Sequence, residues 1–136
     1  MKSPARPFMG ALALMGMLSP ALGASMEALQ GAWTMPGTDC AATFEKQGGK
    51  IRFRDRIAST TTGIIVSGSK VLGPQATCTA QSIHTGKDHV SAYLNCADAI
   101  MFSGVSVSFR IIDQDTFERF DSQFPEVSVR YHRCKL

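Results

Sequence analysis

No apolar run in this 136-residue chain is long enough to cross a bilayer as a helix. The longest, Phe8 to Leu18, spans about eleven residues where about 20 are needed. No acidic residue precedes Glu27. The four cysteines never form the close pairs that a zinc site uses: Cys40, Cys78, Cys96 and Cys134 lie 38, 18 and 38 residues apart. Neither a P-loop nor a G-x-G-x-x-G after a strand is present, which removes the usual nucleotide-binding motifs. No serine sits in a nucleophile-elbow glycine pattern. Helical signals are sparse, and the chain holds a single tryptophan, Trp33.

What the N-terminus does contain is an ordered series: Lys2 and Arg6, the short apolar run, Ser19-Pro20, then small residues from Ala21 to Ser25. That series predicts a secretory signal peptide over residues 1–24, followed by one domain over 25–136. Cleavage is expected after Gly23, Ala24 or Ser25. An uncleaved anchor is the alternative, and the shortness of the run argues against it. No cysteine lies at this boundary, so a lipid-modified mature N-terminus is not expected.

The whole chain carries 14 basic and 11 acidic side chains. Loss of Lys2 and Arg6 leaves 12 against 11, a balance with no electrostatic pull toward nucleic acid or acidic lipid. The remaining 112 or so residues suffice for one buried core. An even cysteine count in an exported chain predicts two disulfides and a periplasmic or secreted location. A hairpin centred on Lys87 would face Cys78 with Cys96 and leave Cys40 to join Cys134. The rival, Cys40–Cys78 with Cys96–Cys134, is nearly as well supported, because spacing alone does not supply the geometry.

Along the mature chain the period is two. IRFRDR (51–56) places Ile51 and Phe53 on one face and Arg52, Arg54 and Arg56 on the other. VSVSFRI (105–111) alternates Val105, Val107, Phe109 and Ile111 against Ser106, Ser108 and Arg110. VSVRYHR (127–133) turns Val127, Val129 and Tyr131 inward. Strict alternation marks strands with one buried face. Turn clusters such as KQGGK, SGSK, TGKD and DQDT separate these runs, a spacing that predicts an all-β fold, a small closed antiparallel barrel or a sandwich. The alternation slips by one residue at Ser103-Gly104, which predicts either a bulge or a turn there. DTFERF (115–120) has the spacing of a capping box, but DQDT between two apolar runs fits a hairpin turn better.

L-x-G-x-W, here Leu29, Gly31 and Trp33, resembles the first strand of lipocalin-type barrels. In those proteins the glycine permits close backbone approach and the tryptophan plugs one end. GAW, Cys40 and the ATC around Cys78 also resemble the small exported bacterial inhibitors of metalloproteases, which are eight-stranded barrels. The resemblance implies a lipocalin-like antiparallel barrel of about eight strands in which Gly31 and Trp33 are structural. It departs at the N-terminus, where only SMEALQ would precede Gly31, whereas those inhibitors carry a longer segment that enters the protease cleft. It departs again in its second cysteine pair.

Catalytic chemistry is thin. His84, His89 and His132 are scattered, and Asp88 is the only acidic neighbour that could join the first two around a metal. Asp113 and Asp115 fit a turn. No cofactor and no enzymatic activity are expected. The densest surface feature is the row Arg52, Arg54 and Arg56, a candidate contact for an acidic partner or else a solvated strand face that guards an edge. Bulky inward residues predict a filled interior, hence binding by rim or loops. The function expected is therefore a protein-binding module, such as an inhibitor of a protease or another envelope enzyme. A small-ligand carrier and a structural or assembly factor of the envelope are the alternatives.

Overall fold

A computed structural model of the protein describes residues 25–55 and 63–136. The segment assigned to the signal peptide, and Arg56, lie outside the described residues. A 3-10 turn at Glu27–Leu29 leads into β1 (Gly31–Thr34). One helical turn, α1 (Cys40–Thr43), is capped by the Asp39 carboxylate, which accepts from the Ala42 N–H. Strands β2 (Phe44–Gln47) and β3 (Lys50–Phe53) then form a hairpin of their own. Its two-residue turn is Gly48-Gly49, both at positive φ, where glycine bears no steric penalty.

The rest is barrel: β4 (Ile64–Ser67), β5 (Lys70–Leu72), β6 (Thr77–Thr85), β7 (His89–Ala97), β8 (Phe102–Asp113), β9 (Thr116–Asp121) and β10 (Phe124–Arg133). These seven and β1 close in the order β1-β10-β9-β8-β7-β6-β5-β4, with every pairing antiparallel. The fold is thus an eight-stranded closed antiparallel barrel with two disulfides, Cys40–Cys134 and Cys78–Cys96. Oxidised cysteines suggest an oxidising compartment outside the cytoplasm. No described helix is long and apolar enough to cross a membrane.

Two separate cores follow from the alternation. Inside the barrel, Trp33, Val71, Ala80, Leu94, Val107, Phe109, Phe117 and Tyr131 pack together. Outside the wall, Ala32, Ile65 and Cys134, which face away from the interior, meet Phe44 and Phe53 of the hairpin. The expected inward faces of Ile51 and Phe53 therefore need correction. Phe53 is buried and Ile51 packs beside it, but both cover the outside of β1 and β4 and neither enters the barrel.

The slip at Ser103-Gly104 is neither bulge nor turn. β8 runs unbroken through it in continuous register with β7, Gly104 opposite Asn95 and Ser103 opposite Cys96. Gly104 is there for space: a Cβ would collide with the Tyr93 hydroxyl, which lies across the outer surface. The apolar residues before it, Ile100 and Phe102, do not face the core at all and are 91% and 90% exposed. The irregularity falls instead in β6, where the register with β7 shifts between Gln81 and His84 and Ser82 adopts a φ of 49°. DQDT is a hairpin turn, with the Asp115 N–H donating to the Asp113 carboxylate at 2.8 Å.

Candidate binding site at the open end of the barrel

The two ends of the barrel are built differently. At one end lie the 3-10 turn, the β6–β7 and β8–β9 turns and the C-terminal end of β10. Trp33, 1% exposed, donates from Nε1 to the Leu29 carbonyl at 2.8 Å. The Arg133 guanidinium lies over the indole, 4.2 Å from the ring centroid. Arg133 also donates to the carbonyls of Gln30, Ala28 and Gln114, tying the last strand to the turn before the first. Gly31 sits at φ +122°, and a Cβ there would lie 2.9 Å from an Arg133 nitrogen, so conformation and space both require glycine. Phe117 continues the packing, edge-on to Trp33 at 4.7 Å and stacked on Tyr131 at 5.0 Å. This end is closed by interlocked aromatic rings.

At the other end the strands open into a cup of about 500 Å³. Val71, Leu94, Val105, Val107, Val127 and Val129 face into it, and the Cys78–Cys96 bridge forms part of the wall. Phe109 and Tyr131 lie at its base. The expectation of a filled interior holds only toward Trp33. Val105 and Val127 face inward as the alternation requires, but they are 49% and 67% exposed because the mouth has no lid among the described residues. Ile100, Met101, Phe102 and Phe124 stand exposed around the same end, on the β7–β8 turn and at the starts of β8 and β10. A larger surface groove, about 860 Å³, lies at the closed end among Glu27, Lys87, Asp88, Asp113, Asp115 and Arg133. Part of its charge is already engaged: Arg133 pairs with Asp115 at 3.5 Å, and the Asp88 carboxylate hydrogen-bonds to His89 at 3.0 Å. The smaller, apolar cup is the better-formed site.

The residues singled out in the sequence fall in three places. Gly31 and Trp33 form the closed end. Cys40–Cys134 joins the helical turn after β1 to the end of β10, while Cys78–Cys96 is in the cup wall. Arg52 and Arg54 are exposed on the separate hairpin, and Glu45, across from Arg52 in β2, binds both of them. Arg54 donates in addition to the Ala41 carbonyl. Glu45 escapes a strand-by-strand reading because its partners belong to the next strand. Among the histidines, His89 pairs with Asp88, whose carboxyl is held below its usual range mainly by that hydrogen bond. No group of three metal-ligating side chains occurs among the described residues. Arg119, which lines the cup from β9, carries no distinct signal in the sequence, since it lies in DTFERF, where turn and helix signals compete.

With this geometry in hand, comparison with known proteins returns no protein-family profile, no curated protein and no solved structure that matches the chain.

Proposed function

We propose that this is an exported binding protein, without catalytic activity, that takes an apolar group of a small molecule into the open end of its barrel. The cup carries the reading: its volume lies within the usual range for ligand pockets, its wall is mostly apolar, and it opens directly to water. Export to the periplasm or beyond is supported by the two disulfides and by the composition of residues 1–24. The expected alternative of ligand carriage thereby moves ahead of an arginine-mediated protein contact, because Arg52 and Arg54 already share Glu45.

Titration with the apolar fluorophore N-phenyl-1-naphthylamine tests the proposal. Saturable one-to-one binding is expected, weakened at least tenfold in Val105→Arg and Val127→Arg, two exposed positions whose replacement spares the core. A folded wild-type protein that fails to bind the probe would sink it. A second reading, docking of an envelope protein on the rim, is favoured by the near-complete exposure of Ile100 and Phe102. It requires that Ile100→Ser with Phe102→Ser abolish capture of that partner while probe binding stays intact.

A further inference from the structure

We infer that the occupant of the cup is a single-tailed amphiphile with an anionic head, bound through Arg119; this rests on the cup being a ligand site. Arg119 lies on β9 opposite Phe109 of β8 and Val129 of β10, both of which face the interior, and it lines the cavity with them. Every other described arginine has a partner. Arg52 and Arg54 bind Glu45, Arg110 and Arg130 bind Glu118, and Arg133 binds backbone carbonyls. The Arg119 guanidinium alone makes no hydrogen bond or ion pair among the described residues. Arg119 is exposed at the cup wall with no counter-charge of its own, so its planar fork is free to take carboxylate or phosphate oxygens there.

Both halves of the ligand follow from the same cavity. Across the barrel from β9 the wall is purely apolar, with Val71 of β5 and the Cys78–Cys96 bridge beside it. A tail lying on that wall and a head turned to Arg119 would satisfy each surface with its own chemistry. The single carboxylate in the lining, Asp121, lies two residues nearer the rim and accepts from the Gln123 N–H at 2.8 Å. It is not within ion-pair distance of Arg119. Its charge opposes an anionic head, so removing it should strengthen binding.

Calorimetry on the mature protein, with dodecanoate, dodecyl phosphate and uncharged dodecanol kept below their micelle concentrations, tests the assignment. Wild type should bind at least one of the two anions on the order of tenfold more tightly than dodecanol, as a charge-assisted hydrogen bond implies. Arg119→Gln should bring the anions down to the dodecanol level without altering dodecanol itself. Arg119→Lys should keep part of the preference, and Asp121→Asn should raise it. The stronger of the two anions identifies the head group. Equal binding of all three ligands, unchanged in Arg119→Gln, would overturn the anionic assignment and leave the cup as an apolar site. Failure of all three to bind folded protein would overturn both.

Discussion

Trp33 shows how one side chain can serve several purposes. Its indole fills the space between Leu29, Phe117 and Arg133, its N–H is satisfied by the Leu29 carbonyl, and its face carries the Arg133 charge. A guanidinium over an aromatic face contributes about 0.5 kcal/mol when exposed and up to about 2 when desolvated. Trp33→Ala would remove that contact and leave a cavity at the closed end. The expected loss is roughly 3–5 kcal/mol, read from the urea midpoint, and native Trp33 emission should be blue-shifted and resistant to acrylamide. A red-shifted, freely quenched signal would contradict the packing. The G-x-W pattern made this residue legible from sequence because a lone tryptophan after a glycine at the start of a β chain has few other uses. Arg133 was not legible in the same way, since its partner is 100 residues away and only closure of the barrel brings them together.

The strands themselves were readable wherever one face meets the core and the other meets water. β10 shows this at Tyr131, buried between Arg130 and His132, and β8 shows it less cleanly, since Ser108 between Val107 and Phe109 is itself buried and hydrogen-bonded to Ser91. The hairpin of β2 and β3 had the same pattern but a different address, because alternation says that Phe53 is buried and cannot say against what. The cup was illegible for a related reason: Val105 and Val127 obey the inward frame, yet their exposure depends on how the barrel ends. On the outer surface, β8, β9 and β10 are joined by Glu118, which accepts from Arg110 at 3.2 Å and Arg130 at 2.6 Å. Arg130 first, then Arg110, holds the Glu118 carboxyl below its ordinary range, while partial burial opposes them. A lowered folded pKa means that the charged form stabilises the native state. That stabilisation is present above the unfolded value of about 4.3 and fades as pH falls through the lower folded value. Glu118→Gln should cost roughly 1 kcal/mol at neutral pH, given how exposed Arg130 is. The deficit should vanish in acid, and a stability gap between the two proteins that persists unchanged at pH 2 would rule this account out.

At the scale of the molecule, the barrel has one end that must stay shut and one that stands open, and each disulfide belongs to one of these tasks. Cys40–Cys134 closes a loop spanning 94 residues and fastens the helical turn and the outer hairpin to the end of β10. Cys78–Cys96 closes only 18 residues between adjacent strands that already pair, and it contributes apolar wall to the cup. Chain entropy alone assigns about 4.7 kcal/mol to the first and about 3 kcal/mol to the second. Replacing both cysteines of the long loop with alanine should therefore destabilise the protein by roughly 1.5 kcal/mol more than the same change in the short loop. The functional order should be the reverse. Losing Cys40–Cys134 leaves the cup residues in place, so the remaining folded protein should bind the preferred dodecyl anion as before. Losing Cys78–Cys96 removes two sulfurs from the wall and lets β6 and β7 part at the mouth, so affinity should fall although more of the fold survives. Urea midpoints and calorimetry on the two double variants separate these effects. If the variant lacking Cys78–Cys96 were the less stable and bound unchanged, the division of labour between the two ends would be wrong.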